Sequence, residues 1–325
     1  MLSAPVPMST LVVDLSFWNT LSQADFNDLA NNGIQMVILR SSFGLCQDTR
    51  LTTHLTHAQN AGIPIGFYHW FDPTVSIDRQ IDFFISLAKR YKPALLALDF
   101  EQWWTDWDAW QQAINGKLPW DEVPSFPPNI LSVRYRSAWN RLVAAALPAK
   151  LIIYTGTWFI NQWCPQMDSW LPMANAWIAS YIPGMFQSWA ALHSAADNLT
   201  FPSHSNLHTV PLWQFTSSFI PNGKRIDVSR FFPPSPDLSF AAWLVASSSY
   251  TTPAPQPPKP LFTVVVTAVG LKVHPTHNPF DFTVSDWLKA GDICPIFEEW
   301  SSSFFGHWGR TSKGWLNLRY TRLAP

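Results

Sequence analysis

The sequence predicts an α/β fold, an irregular (β/α) barrel whose helices are missing in the last third, followed by a small all-β module. Short apolar runs alternate with amphipathic segments from about residue 10 to residue 232, which is typical of parallel strands joined by helices. Long helical patterns stop after Thr155, while strand patterns continue. A proline-rich segment then precedes a part with short β-type runs broken by Gly, Pro and Asn.

Eight runs are predicted to be barrel strands because they are short, apolar and bounded by turn residues. They lie at residues 11–15, 36–41, 64–69, 94–101, 151–155, 176–181, 211–215 and 226–229. Helices are predicted between the first five strands, at residues 22–33, 51–61, 76–92 and 131–147. Ser22 is a candidate N-cap, Gly33 and Gly62 are candidate helix ends, and Pro93 and Pro148 lie just beyond two others.

The domain organisation follows from these changes in composition. We expect an N-terminal extension at 1–10, the barrel at 11–248, a proline-rich linker at 249–260 and the all-β module at 261–325. Five of the ten residues from 251 to 260 are proline. Such a segment is typical of an extended, semi-rigid spacer.

The composition excludes several classes of protein. The formal net charge is -1 and only 13% of residues are charged, so no basic surface for nucleic acid is expected. The isolated residues Cys46, Cys164 and Cys294 predict neither a disulfide framework nor a zinc site. No apolar run is long enough to span a membrane. We therefore expect a monomer that uses no cofactor or metal.

Aromatic residues are unusually abundant, with 19 Trp and 23 Phe. Most are expected in the core, because aromatic side chains bury large areas. A surplus of tryptophan also suits a carbohydrate cleft, where the rings stack on the apolar faces of sugars.

Asp99 and Glu101 form the centre of the candidate site. Alternate residues of a strand face the same way, so Leu98 and Phe100 would face the helices while Asp99 and Glu101 would face the barrel interior. Other polar side chains stand near strand ends, where barrel enzymes place catalytic groups. They are Asp14, Arg40, His69, Tyr154, Tyr181, Gln214 and, in the last strand, Asp227. Their convergence predicts a site, although polar strand ends that merely meet solvent are the alternative.

Paired acids favour glycoside cleavage. One carboxyl group must hold a proton for the leaving oxygen, and another must be ionised to stabilise the oxocarbenium-like transition state. Crowding several carboxylates raises the pKa of one of them, which supplies an acid near neutral pH.

Eight segments resemble, in order, the motifs of family 25 glycoside hydrolases, the lysozyme or muramidase family that includes endolysins. They are VVDLSFWN (12–19), ILRSSFG (38–44), AGIPIGFYHW (61–70), DFE (99–101), IYT (153–155), WIASY (177–181), WQFTS (213–217) and IDVSRF (226–231). The resemblance covers roughly residues 11–231, and the ordered set is far more specific than any single motif.

The resemblance implies an irregular TIM-like barrel that hydrolyses the β-1,4 bond between N-acetylmuramic acid and N-acetylglucosamine in peptidoglycan. It implies that Glu101 is the general acid and that Asp99 stabilises the transition state or orients the 2-acetamido group. Asp14 and Asp227 would complete the acidic cleft. The candidate substrate-binding residues are Tyr68, Tyr154 and Trp213, implied by the resemblance, together with the strand-end residues Arg40, His69, Tyr181 and Gln214.

The sequence departs from the family pattern at three places. Asn19-Thr20 follows the opening strand, where the family has Gln or Asn before Gly, and Ser229 stands where Asn is usual. A tryptophan-rich insert at 102–130 directly follows the candidate catalytic strand. This insert either binds substrate or forms a local aromatic cluster.

The C-terminal part is similar to bacterial SH3-like modules. The matching segments are VTAVGLKV (266–273), KAGD (289–292) and GWLN (314–317), followed by Tyr320, with His274 where Arg is common. The resemblance implies that this module binds a wall peptide or glycan and raises the local concentration of the enzyme at its substrate. A small stabilising appendage is the alternative.

Two other functions remain as alternatives, a chitinase-like glycosidase and a non-catalytic wall-binding protein. The longer acidic run of chitinases is absent around Ala94 and Ala97, and all four acids of an active barrel are present. His204 and His208 are four residues apart but lack the glutamate of a helical zinc motif. Residues 1–10 do not resemble a signal peptide, so we expect synthesis in the cytoplasm and action on the cell wall after release or export.

Overall fold

The computed structural model describes residues 9–200, 210–235, 237–245, 262–274, 284, 286–296, 298–302 and 306–323. The chain divides into two compact units, residues 1–250 and 251–325. The predicted linker, most of the N-terminal extension and the pair His204 and His208 lie outside the described residues. No helix among the described residues is both long and apolar enough to cross a membrane.

The first unit is a closed eight-stranded barrel, which confirms the predicted fold class. Its sheet contains β1 (Leu11–Leu15), β2 (Ile34–Phe43), β3 (Cys46–Gln47), β4 (Ile65–Trp70), β5 (Leu95–Asp99), β6 (Lys150–Gly156), β7 (Ala176–Ala179), β8 (Leu212–Phe219) and β9 (Ile226–Phe231). The pairing of β1 with β2 closes the barrel, and the two-residue strand β3 is an edge partner of β2. The last strand β9 runs antiparallel to both β8 and β1, whereas the other barrel pairs are parallel.

Helices lie in most of the connections between strands. They are α1 (Gln23–Asn31), α2 (Leu51–Asn60), α3 (Ile77–Tyr91), α4 (Trp107–Ile114), α5 (Pro128–Ala144), α6 (Thr157–Trp163), α7 (Trp189–Asp197) and α8 (Phe240–Val245). Ser22 caps α1 in a capping box with Asp25, and Lys92 ends α3 in the left-handed conformation. The helix predicted at 131–147 instead begins at Pro128, because proline fits the first turn of a helix.

The last third of the barrel contains helices, whereas the sequence predicted that they would be missing. The short helices α6 and α7, of seven and nine residues, stand where the sequence predicted none. Both are shorter than α3 and α5, with 15 and 17 residues. The barrel is irregular in this third, as predicted, because short helices replace the long ones.

Two separate cores lie on the two sides of the barrel wall. Residues such as Leu96, Leu98 and Phe100 belong to the outer core, between strands and helices. Leu95 and Ala97 belong to the inner core, which fills the barrel. The alternation predicted for β5 is therefore confirmed, and it directs Asp99 towards the interior.

One end of the barrel is closed by α8. The rings of Phe240 and Trp243 contact Phe231, with centroids 5.0 and 5.2 Å apart, and Lys150 Nζ lies 5.0 Å from the Trp243 ring. Lys150 begins β6, so α8 covers the amino ends of the parallel strands. The opposite rim, at the carboxyl ends, stays open for a site.

The described part of the second unit consists of short strands, turns and one 3-10 helix. The strands are β10 (Phe262–Val266), β11 (Gly270–Val273), β12 (Asp286–Lys289), β13 (Ile293–Ile296), β14 (Glu298–Ser302), β15 (Gly306–Thr311), β16 (Gly314–Asn317) and β17 (Thr321–Leu323). Val273, Ile296 and Leu316 are fully buried in its own small core. Gly314 has a φ of +134°, and a Cβ there would collide with the carbonyl oxygen of His274. The SH3-like identity of this all-β unit stays a prediction.

Candidate active site

Four carboxyl groups meet at the open rim of the barrel. Asp14 lies near the end of β1, Asp99 ends β5, and Glu101 follows two residues later. Asp227 lies near the start of β9, directly opposite Asp14 in the antiparallel pair. Residues opposite each other in such a pair have Cβ atoms about 5 Å apart. The antiparallel direction of β9 is what brings its amino end, and therefore Asp227, to the rim where the parallel strands end.

Burial and mutual repulsion favour the protonated forms of these groups. Burial raises the pKa of Asp14, and the charges of Asp227 and Glu101 raise it further, against a hydrogen bond from Gln214. Burial raises the pKa of Asp99, and the charges of Glu101 and Asp14 raise it further. The positive charge of Arg40 lowers it. Asp99 Oδ1 is buried without a hydrogen-bond partner among the described residues, and an unpaired buried carboxylate is costly when ionised.

Glu101 and Asp227 are the two carboxyl groups of the set that remain partly exposed. Burial, followed by the charge of Asp227, raises the pKa of Glu101 to about 7. Burial raises the pKa of Asp227 to about 6, against the charge of Arg225. Both groups therefore keep their protons to a higher pH than free carboxyl side chains do, so the rim can hold a proton near neutral pH.

Gln214 connects three of the predicted site residues. Its Oε1 accepts hydrogen bonds from the hydroxyl groups of Tyr154 and Tyr181, both at 2.9 Å, and its Nε2 donates to Asp14 Oδ2 at 2.8 Å. The side chain is 1% exposed, so Gln214 orients Asp14 and the two tyrosines more than it offers atoms to a ligand. Tyr181 is 54% exposed and can contact a substrate directly.

Tyr68 and Arg40 complete this side of the rim. They are paired residues of β4 and β2. The positive charge of Arg40 lowers the pKa of both Tyr68 and Asp99, against the effect of burial. Arg40 Nε donates to Asp48 Oδ2 at 2.8 Å, and the guanidinium lies 4.6 Å from the Phe17 ring.

Asp48 is a site-supporting residue that sequence reasoning missed. It is 6% exposed and accepts from the backbone N–H groups of Phe17 and Arg50 as well as from Arg40. It follows the short strand β3, where no periodic pattern marks a residue as functional.

Two predicted substrate-binding residues are not brought to the rim. His69 is fully buried on the outer face of β4, where Nδ1 meets Ser42 Oγ at 2.8 Å and Nε2 meets Gln80 Oε1 at 3.1 Å. Burial lowers its pKa to about 4, so the ring is neutral at physiological pH. Trp213 belongs to the outer core and donates from Nε1 to the carbonyl oxygen of Ser180 at 2.7 Å. Both residues hold strands in place.

The donor set of this rim is carboxyl, phenol and amide. Within the described parts of the chain, no group of three or more His, Cys, Asp or Glu side chains is placed to hold a metal ion.

Comparisons with known structures agree with the barrel fold. The bacterial lysozyme from Streptomyces coelicolor has 17% identity and a TM-score of 0.52, over 75% of this chain and 100% of that one. The muramidase from Acremonium alcalophilum has 17% identity and a TM-score of 0.51, over 74% and 98%. The modular autolysin LytC from Streptococcus pneumoniae has 16% identity and a TM-score of 0.52, over 70% of this chain, which spans only 48% of the autolysin.

The family assignment rests on the sequence itself. A comparison with curated proteins found no match. The model of the family described as glycosyl hydrolases family 25 matches residues 13–224, a stretch that contains three of the four rim carboxyl groups and confirms the resemblance stated above. The chain belongs to glycosyl hydrolases family 25 and is a glycoside hydrolase.

Proposed function

We propose that this protein is a peptidoglycan hydrolase of the cell wall that cleaves the β-1,4 bond between N-acetylmuramic acid and N-acetylglucosamine, with Glu101 as general acid. One observation carries the proposal, the convergence of four carboxyl groups that includes Glu101 with a pKa raised to about 7. Family membership supports it. The fold relatives include a lysozyme and a muramidase, and LytC is known in complex with a synthetic peptidoglycan ligand.

Glu101 donates its proton to the glycosidic oxygen as the bond to the leaving sugar breaks. It suits this task because a general acid works best when its pKa lies near the working pH. It is also more accessible than Asp14 and Asp99, which are 8% and 3% exposed. The ionised Asp227 keeps the proton on Glu101 through repulsion.

Asp99 stabilises the positive charge that develops on the sugar ring. The positive charge of Arg40 lowers the pKa of Asp99, so part of the cost of ionising this buried carboxyl group is offset. Charge developing next to it in the transition state favours the ionised form further, because opposite charges within a few ångströms lower a carboxyl pKa. Tyr68 lies on β4, the strand next to that of Asp99, and Tyr181 is exposed at the rim, so both can contact this ring.

The products of digestion test the proposal. Purified peptidoglycan is incubated with the protein, and the new reducing ends are identified by mass spectrometry after borohydride reduction. We expect muramic acid ends. Glucosamine ends would support a different glycosidase, chitin cleavage would favour the chitinase-like alternative, and binding without any new ends would favour a non-catalytic protein.

The pH profile is expected to be bell-shaped, with a maximum between about 6 and 7. Activity falls above about 7 because Glu101 loses the proton that it must donate, and it falls below about 6 because the ionised carboxylates of the rim, Asp99 and Asp227, become protonated. The measurement is kcat/KM on soluble peptidoglycan fragments, which reports the free enzyme.

The variant Asp227→Asn sharpens this test. Removing the charge that raises the pKa of Glu101 should move the alkaline limb to lower pH. A profile that stays flat up to pH 9, or an alkaline limb that does not move in this variant, would exclude Glu101 as the group that titrates there.

We also propose that the second unit binds the cell wall. A cavity of about 310 Å³ lies on it, with Trp287, Trp308 and Tyr320 among its walls and Lys272 beside them. Trp287 is 58% exposed, and Lys272 Nζ lies 5.4 Å from its ring. An exposed aromatic platform with one cation suits a polar, partly anionic ligand such as a wall peptide.

Replacing Trp287 with alanine should weaken sedimentation with purified cell walls about two- to tenfold, since aromatic contacts of this kind contribute about 0.5–1.5 kcal/mol. The measurement uses the full chain with Glu101→Gln, so that the wall is not digested. Ile293→Ala is the control, because Ile293 is 68% exposed and does not line the cavity. Equal sedimentation of both variants would assign the unit a stabilising role instead.

A further inference from the structure

The tryptophan-rich insert encloses a cavity beside the candidate catalytic strand. The cavity measures about 290 Å³, close to the lower limit of small-molecule sites. Its walls include Phe43 from the end of β2, Asp72 from the turn after β4, and Gln102, Trp104 and Trp107 from the insert. Gln102 directly follows Glu101, and consecutive Cα atoms are about 3.8 Å apart. One wall residue of the cavity is therefore the direct chain neighbour of the proposed acid.

The insert is folded as an ordered structure. Thr105 donates its backbone N–H to Pro124 at 2.8 Å, and Phe126 donates to Trp103 at 2.9 Å, which closes the insert at its base. Trp103 stacks on Trp163 with centroids 3.8 Å apart. Trp103 is thus an anchor, which leaves other tryptophans of the insert to face the cavity.

The apolar wall of the cavity is a tilted series of aromatic rings. Trp104 is buried and stacks on Trp110 at 4.4 Å, Trp110 supports Trp107 at 4.8 Å, and Trp107 lies 6.1 Å from Phe43. Trp107 nevertheless remains 49% exposed. An exposed indole held by two aromatic neighbours is a rigid platform whose free face can receive another flat, apolar surface.

The polar wall of the cavity is held in place by hydrogen bonds. Asp72 Oδ1 accepts from Thr74 and from Gln102 Nε2 at 3.0 Å, and Gln102 Oε1 accepts from Trp70 Nε1 at 3.2 Å. The backbone N–H of Asp72 donates to Gln80 Oε1 at 3.0 Å. The same oxygen atom also contacts His69 Nε2. Asp72 Oδ2 has no hydrogen-bond partner among the described residues and can accept from a ligand hydroxyl group.

We propose that this cavity is an additional sugar subsite, which binds one residue of the glycan strand beyond the pair that is cleaved. The assignment rests on the proposed function of the rim. A pyranose ring presents C–H groups on its faces, which suit Trp107, and hydroxyl groups at its edge, which suit Asp72. The insert would thereby lengthen the stretch of glycan that the enzyme holds.

The test compares peptide-free glycan strands of four and eight sugars. For Trp107→Ala, the ratio of KM on the long strand to KM on the short strand should rise about two- to tenfold, since only the long strand fills the added subsite. Trp120→Ala is the matched control, because Trp120 belongs to the same insert, is 53% exposed and does not line the cavity. Its ratio should equal that of the unchanged protein.

Calorimetric titration of the eight-sugar strand into the Glu101→Gln protein separates this inference from the proposed function. If the unchanged protein cuts neither strand, but Trp107→Ala still weakens binding in the Glu101→Gln background while Trp120→Ala does not, the subsite stands and the proposed reaction fails. If both strands are cut and the two tryptophan variants behave alike, the subsite is refuted.

Discussion

Replacing Glu101 with glutamine is expected to lower kcat by two to four orders of magnitude, the usual contribution of a general acid, and to stabilise the folded protein. Glutamine is nearly isosteric but has no proton to donate to the leaving oxygen. Turnover is measured as new reducing ends released from peptidoglycan. Retention of more than a tenth of the activity would remove Glu101 from the role of acid.

The stabilisation follows from the raised pKa of Glu101, about 7 in the folded protein against an ordinary value of 4.5. The folded state binds the proton more tightly than the unfolded chain, so stability is lost as pH rises from about 4.5 to about 7. Above pH 7 the loss amounts to at most about 4 kcal/mol, at about 1.4 kcal/mol per pKa unit. Glutamine removes this loss.

Denaturation at pH 5 and pH 8 measures the effect. The gain in free energy of unfolding should be larger at pH 8. Glu122→Gln is the control, because Glu122 is exposed in the insert, and it should change neither activity nor stability appreciably. An equal gain at both pH values would mean that the glutamine acts through packing.

Trp177→Ala is expected to lower the free energy of unfolding by about 3–5 kcal/mol, the cost of removing a large buried aromatic side chain. Trp177 is 2% exposed in the inner core, donates from Nε1 to Ser229 Oγ at 2.9 Å and contacts the Tyr154 ring at 4.6 Å. Its loss leaves a cavity beneath Tyr154 and leaves Ser229 without its partner. Guanidinium denaturation followed by far-ultraviolet circular dichroism measures the change.

Two further variants separate volume from hydrogen bonding. Trp177→Phe keeps an aromatic ring but loses the bond to Ser229, so we expect a smaller loss of about 1–3 kcal/mol. Trp18→Ala should cost less than about 0.5 kcal/mol, because Trp18 is 77% exposed. A loss for Trp177→Ala no larger than that of Trp18→Ala would contradict the packed interior.

The strands and the inward acids were predictable because strand alternation is a local property. The same alternation also explains why two of the predicted substrate-binding residues lie away from the rim. Tyr68 and His69 are neighbours in one strand, as are Trp213 and Gln214, and neighbours in a strand face opposite sides. Tyr68 and Gln214 face the interior, whereas His69 and Trp213 face the outer core. Applying the rule used for Asp99 to these pairs would have separated them.

Other features depend on contacts between distant segments and leave no local signal. Asp48 is important because Phe17 and Arg40 come to it from different elements. The direction of β9 is set by its pairing with both β8 and β1, although its apolar run looks like any other strand. The fold of the insert depends on Trp163, more than thirty residues beyond its closing contacts.

The position of α8 in the chain determines when the barrel can complete its folding during synthesis. The ribosome releases the chain from its amino end, and domains generally fold as units during this process. β1 finds its partner β9 only after more than two hundred residues have emerged, and Phe240 and Trp243 follow later still. Until then the amino ends of the strands lack the cover of α8, so the inner core of the barrel can be completed only after this helix has left the exit tunnel.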